Sequence, residues 1–98
     1  MVIRVLDIVE RCYSDIDGQK IYKIVFDYIK RGEPLTLSFA GVDVVHSSFV
    51  NAAFITLLDS FSFTTIKDLL SFSHTTPQIN EMIKKRFVFE VNRQNKAD

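Results

Sequence analysis

The sequence predicts an α/β fold in which a small, mostly parallel sheet is flanked by helices. Segments with the period of a helix alternate with short β-branched segments, in the order strand, helix, strand, helix, strand, helix, strand. The chain has 98 residues and is 47% hydrophobic, which is enough apolar surface for one packed core. We therefore expect a single domain over residues 1–98, with a polar tail from about residue 92.

The first strand and the first helix are indicated by composition and by helix-end signals. Residues 2–9 are rich in β-branched side chains, which favours a strand. Ser14 with Asp17 three residues later predicts a helix start, because the hydroxyl can accept from a first-turn N–H. Gly32 and Pro34 predict its end. The apolar stripe between them has helical spacing: Ile21, Ile24, Val25, Tyr28 and Ile29.

The middle of the chain predicts a second strand and a second helix. Residues 35–39 alternate apolar and polar side chains, as a strand with one buried face does. Ser47 or Ser48 is the expected N-cap of the helix that follows. Its apolar stripe fits the helical period at every step: Val50, Ala53, Phe54, Leu57, Leu58 and Phe61.

The last third of the chain carries mixed signals. Residues 66–72 begin with helical and end with extended character, and we favour a strand. Residues 75–77, Thr-Thr-Pro, predict the start of a third helix, since Pro is tolerated in a first turn. Residues 87–91, Phe-Val-Phe-Glu-Val, predict a last strand, and the polar residues 92–98 are expected to fray.

The charges are balanced overall but unevenly placed. Twelve basic and twelve acidic residues give a net charge of zero, so neither nucleic acid nor an anionic membrane is favoured as a partner. From Pro34 to Asn80 only four side chains are charged: Asp43, Asp59, Lys67 and Asp68. This charge-poor region is expected to supply most of the core.

Several features favour a cytoplasmic protein. The longest uncharged run, residues 44–58, is too short and too polar to cross a bilayer. No secretory signal is visible at the start of the chain. A single cysteine, Cys12, cannot form an internal disulfide, which agrees with a reducing compartment.

Motifs for catalysis, metal binding or nucleotide binding are weak. His46 adjoins two serines, but adjacent side chains at a turn point in different directions. The sequence also has no nucleophile elbow, so a small hydrolase ranks last among the hypotheses. His46, His74 and Cys12 lack the paired spacing of zinc ligands. The three glycines form no phosphate-binding loop, so no metal and no cofactor is expected.

Ser47 and Ser48 have two interpretations. Helix capping alone explains them and is favoured on the residues themselves. A phosphoryl group there would add about −1.5 to −2 charges beside a positive helix end, and would oppose an apolar partner on this charge-poor surface. Both serines are therefore candidate phosphoacceptors.

The segment from Leu37 to Ala53, LSFAGVDVVHSSFVNAA, resembles the central strand, turn and helix start of STAS domains, the fold of anti-sigma-factor antagonists. It is most similar to the small bacterial STAS-like domains of unknown function, and the similarity extends over residues 15–83. In the antagonists an acidic residue precedes the serine that a partner kinase phosphorylates, and a hydroxylic residue and glycine follow. Ser47 matches the phosphoacceptor position, while His46 replaces the Asp and Phe49 replaces the Gly.

The resemblance implies a non-enzymatic cytoplasmic domain of bacterial regulation that binds a protein partner, such as an ATP-binding kinase-like or anti-sigma regulator. The expected partner-binding residues are His46, Ser47, Ser48, Phe49 and Asn51. The alternative is a structural subunit that self-associates, for example as a homodimer, through surplus apolar surface. The aromatic residues behind that alternative are Phe49, Phe61, Phe63 and Phe72.

Overall fold

Three parallel strands form the one sheet of the described residues. A computed structural model describes residues 1–95 and contains β1 (Val2–Arg4), β2 (Leu35–Ser38) and β3 (Leu70–Ser73) in the order β1-β2-β3. Arg4 pairs with Ser38, and Ser38 with Ser73, at the carboxyl ends of the strands. The predicted α/β class is confirmed, and every strand pair within residues 1–95 is parallel.

Helical crossovers connect these strands, as parallel pairing requires. The helices are α1 (Asp15–Lys30), α2 (Ser47–Ala53), α3 (Phe63–Leu69) and α4 (Pro77–Asn95). Two short 3₁₀ segments, Val5–Asp7 and Ile55–Asp59, follow β1 and α2. The chain therefore passes through one helix between β1 and β2, and through two helices between β2 and β3.

α1 begins and ends where the sequence predicts. The Ser14 hydroxyl accepts a hydrogen bond from the Asp17 N–H at 3.2 Å. At the other end Gly32 has φ +72°, and the N–H groups of Gly32 and Glu33 donate to the carbonyls of Ile29 and Tyr28. This is the Schellman arrangement, in which a glycine takes the left-handed conformation that closes a helix.

The core lies between the helices and one face of the sheet. Leu35, Leu37 and Phe39 point into it and are almost fully buried, as the alternating pattern predicts. On the other face the hydroxyls of Thr36 and Ser71 lie 2.8 Å apart at the surface. The sheet therefore has one apolar, helix-covered face and one polar, open face.

α1 and α2 pack closely because Gly18 has no side chain. A Cβ at Gly18 would lie 2.6 Å from the Phe49 carbonyl oxygen and 2.8 Å from the Ala52 Cβ. The backbones of the two helices therefore approach each other more closely than any other residue type at position 18 would allow. This contact fixes the position of α2 on α1.

Two predicted strands are shorter than expected. The strand predicted over residues 2–9 ends at Arg4, where the 3₁₀ segment begins. The strand predicted over residues 66–72 is wrong in its first half, since α3 continues to Leu69 and β3 begins at Leu70. Ser62 caps α3 by accepting from the Thr65 N–H at 3.2 Å, a helix-start signal that the sequence prediction did not use.

The last predicted strand, residues 87–91, is wrong: these residues are helical and belong to α4. Ile79, Ile83 and Phe87 are buried at four-residue spacing, so the helical period of the longer segment outweighs the aromatic and β-branched composition of residues 87–91. The predicted helix start is confirmed, because Thr76 Oγ1 accepts from the Ile79 N–H at 3.2 Å. Of the tail expected to fray, residues 92–95 continue α4 and residues 96–98 lie outside the described part.

Candidate functional site

The turn before α2 is held to the segment before α1 by main-chain contacts. Cys12 and Val45 form an isolated parallel bridge. The His46 N–H donates to the Cys12 carbonyl at 2.9 Å, and the Ser48 hydroxyl donates to the Tyr13 carbonyl at 3.1 Å. The backbone of the turn is therefore fixed on both sides of Ser47.

An aromatic stack lies on the surface of this turn. The rings of Tyr13 and His46 are nearly parallel, at 15°, with centroids 4.5 Å apart. The Arg11 guanidinium lies 5.7 Å from the Tyr13 ring centroid. Tyr13 is 43% exposed and Val44 is 51% exposed. We call Tyr13, Val44, His46 and Ser47 the turn surface.

The two candidate phosphoacceptors differ in their surroundings. The N-cap of α2 is His46, which makes no side-chain cap bond, so the prediction that Ser47 or Ser48 caps this helix is wrong. Ser48 is exposed, but its hydroxyl is occupied by the Tyr13 carbonyl. Ser47 is exposed, and its hydroxyl makes no hydrogen bond within residues 1–95.

Phe49 and Asn51 do not lie with the other predicted partner-binding residues. Phe49 is fully buried and packs edge-to-face against Phe54, so its predicted contact with a partner is corrected to a core role. Asn51 is half-buried, and its Oδ1 accepts from Arg86 Nε at 2.8 Å, which ties α2 to α4. Both residues anchor α2, the helix that begins at the turn surface, to the rest of the fold.

The aromatic residues behind the self-association hypothesis are mostly covered. Phe61 and Phe72 are partly buried against the core, where they pack on Phe26 and Phe54. Phe63 is 37% exposed. These aromatic side chains therefore leave little exposed surface for the self-association that the hypothesis requires.

The site offers little for nucleophilic or metal chemistry. The His46 ring stacks on Tyr13 and forms no hydrogen bond to a serine within residues 1–95. In the same part of the chain, no three His, Cys, Asp or Glu side chains are grouped as metal ligands. Cys12 is fully buried, and burial, aided by the charge of Asp17, raises the pKa of its thiol to about 12. That thiol therefore remains protonated and unreactive at neutral pH.

A second histidine cluster was missed by sequence reasoning. Ser38 Oγ and Ser73 Oγ each lie 3.3 Å from His74 Nδ1, and Ser38 also accepts from the Ala40 N–H. Ser38 is only 6% exposed, so these bonds satisfy a buried hydroxyl. The signal was the register of two parallel strands, which brings residues 35 positions apart to one sheet edge.

No single helix within residues 1–95 has the length and hydropathy to cross a membrane. The helical segments 47–59 and 63–69, which meet at a bend of 118°, reach that length and hydropathy only when they are counted together.

Comparison with known proteins identifies a family. Residues 17–80, from the first turn of α1 to the first turn of α4, match the family described as "STAS-like domain of unknown function (DUF4325)". No curated protein and no solved structure matches the chain. The match covers well over half of the 98 residues and includes Val44, His46 and Ser47 of the turn surface, while Tyr13 precedes it. The chain therefore belongs to the family of STAS-like domains of unknown function.

Proposed function

We propose that this chain is a non-enzymatic protein-interaction domain that binds a regulatory protein through the turn surface. The observation that carries the proposal is the exposed, stacked pair of Tyr13 and His46, held to a rigid backbone beside the free hydroxyl of Ser47. Membership of the STAS-like family makes a protein-binding role plausible.

The chemistry of the turn surface suits a protein partner. Tyr13 and His46 are exposed rings with polar tips, and Val44 adds exposed aliphatic surface. Stacking already restricts both rings, so binding costs less side-chain entropy than it would with free rings. Protein interfaces are enriched in such aromatic anchors.

The proposed switch is phosphorylation of Ser47 by a kinase-like partner. A phosphate would place about −1.5 to −2 charges beside Val44 and the ring stack, and would make docking of an apolar surface unfavourable. Ser47 is the better acceptor of the two serines, because the Ser48 hydroxyl already bonds the backbone of Tyr13. Arg11, whose guanidinium lies over the Tyr13 ring, adds a positive charge on the Tyr13 side of the turn surface.

Site-specific photo-crosslinking tests the location of the interface. A photoreactive benzoylphenylalanine is introduced in place of Val44 in one variant, and in place of Asp59 in a matched control. Asp59 is also exposed and lies at the far end of the 3₁₀ segment that follows α2. The cross-linked protein is identified by mass spectrometry, and its binding is then measured with purified components.

The proposal expects one protein to cross-link at position 44 and not at position 59. The same purified protein must bind the wild-type chain and lose affinity when His46→Ala removes the ring stack. Equal cross-linking at both positions, or unchanged affinity of the His46→Ala chain, would refute the turn surface as the interface. Conversion of a small-molecule substrate by the purified chain would refute its non-enzymatic character.

A further inference from the structure

A second surface, separate from the turn surface, is an apolar groove between α3 and α4. Its volume is about 550 Å³. Leu70 and Phe72 of β3 line it together with the helices, and so do Phe63 and Phe87, whose rings contact each other with centroids 5.4 Å apart. Its volume lies within the range of about 300–1,000 Å³ that is usual for small-molecule sites.

Among residues 1–95, two lysines are the only charged residues that line this groove. Lys67 lies four residues after Phe63 on α3, and Lys84 three residues before Phe87 on α4. No acidic side chain lines the groove, and within residues 1–95 neither ammonium group takes part in an ion pair. The groove therefore combines apolar walls with two positive charges that lack a counter-charge.

The size and the charge of the groove indicate which kind of molecule binds there. Ten residues line the groove, whereas a stable protein interface uses about 20–30 residues on each side. A second copy of the chain, docked through the same groove, would add its own two lysines to the contact and double the positive charge there, which like-charge repulsion disfavours. A small molecule with an apolar body and one anionic end matches both the size and the charge.

We propose that the groove binds an aliphatic carboxylate, a fatty-acid-type anion, with its hydrocarbon chain against Leu70, Phe72 and Phe87 and its carboxylate near Lys67 and Lys84. The Asn80 side chain, which also lines the groove, adds a hydrogen-bond donor for the carboxylate. This site is separate from the turn surface and does not depend on the function proposed for it.

Calorimetric titration of the purified chain with dodecanoate, below the concentration at which micelles form, tests the proposal. We expect saturable binding of one molecule per chain. Lys84→Glu and Lys67→Glu should each weaken binding about tenfold, because each removes a charge-assisted contact and adds repulsion. Dodecyltrimethylammonium, which has the same chain and a positive end, should bind at least tenfold more weakly than dodecanoate.

Lys85→Glu is the matched control. It makes the same charge change one residue away, on an exposed side chain that does not line the groove, and should leave binding unchanged. Absence of saturable dodecanoate binding would overturn the proposal, as would equal binding of the cationic analogue or equal effects at positions 84 and 85. A dimer in light scattering that Val88→Glu dissociates would assign the groove to a second copy and would also overturn it.

Discussion

Replacement of Gly18 by Ala tests the close packing of α1 on α2 that positions the turn surface. The added Cβ would lie 2.6 Å from the Phe49 carbonyl oxygen, about 0.8 Å inside the 3.4 Å at which ordinary contacts begin. It would also lie 2.8 Å from the Ala52 Cβ. A backbone carbonyl cannot rotate away as the end of a long side chain can, so the two helices must separate.

Two opposing terms set the size of the effect. Overpacking of a well-filled core costs about 1–3 kcal/mol. Replacement of a helical glycine by alanine contributes about 1 kcal/mol of stabilisation. Since the obstruction is backbone, we take the upper part of the overpacking range and expect Gly18→Ala to lower the free energy of unfolding by about 1–2 kcal/mol. The midpoint of thermal unfolding should fall by roughly 5–15 °C.

Urea unfolding followed by circular dichroism measures this difference. Gln19→Ala, an exposed change on the same helix, is the control and should stay within about 0.5 kcal/mol of wild type. Ala52→Gly removes one of the two close contacts, so in a double-mutant cycle it should recover at least about 0.5 kcal/mol in the Gly18→Ala background. A Gly18→Ala chain as stable as wild type, or more stable, would refute the argument.

Three further predictions concern caps, the buried thiol and the contact between α2 and α4. Ser14→Ala should lower the free energy of unfolding by about 1 kcal/mol, because it removes the cap of α1. Ser47→Ala should change the free energy of unfolding by less than about 0.5 kcal/mol, because Ser47 caps no helix. Equal losses for the two variants in urea unfolding would contradict this assignment of caps. The Cys12 thiol ionises above about pH 9 when unfolded but stays protonated to about pH 12 when folded. The contribution of this thiol to the free energy of unfolding is therefore complete below pH 9 and is lost at about 1.4 kcal/mol per pH unit above pH 9. The stability advantage of wild type over Cys12→Ala should shrink as the pH rises from about 9 to about 10.5. A difference that stays constant over this range would contradict the prediction. In a double-mutant cycle, Asn51→Ala and Arg86→Met should couple by about 1 kcal/mol, since they share one half-buried hydrogen bond; full additivity would mean that the bond contributes nothing.

Local signals predicted much of the fold, because most of its elements carry their own start and stop residues. Ser14 and Gly32 bound α1 where the capping argument placed them, and Leu35, Leu37 and Phe39 enter the core as the alternating pattern predicts. Residues 87–91 were wrongly predicted as a strand because a short apolar run fits a strand and a helix equally well. The burial of Phe87 and Ile83 at helical spacing decides between the two.

The candidate site was predicted less well, for a physical reason. Sequence adjacency placed His46, Ser47 and Phe49 together, but a helix start turns successive side chains in different directions, so Phe49 enters the core while Ser47 stays exposed. Tyr13 joins His46 only through pairing of distant backbone segments, which no local pattern encodes. Lys67 of the α3–α4 groove was likewise hidden, because residues 66–72 were expected to be a strand.

The most direct test of the proposed function is the affinity of the cross-linked partner for chains that differ in charge at position 47. Isothermal titration compares wild type, Ser47→Ala, Ser47→Asp and Thr64→Asp, the last being an exposed position in α3. We predict unchanged affinity for Ser47→Ala and Thr64→Asp and about tenfold weaker binding for Ser47→Asp, because only the last places a charge on the turn surface. Equal affinity of all four chains would contradict the proposal that the turn surface is a phosphorylation-controlled interface.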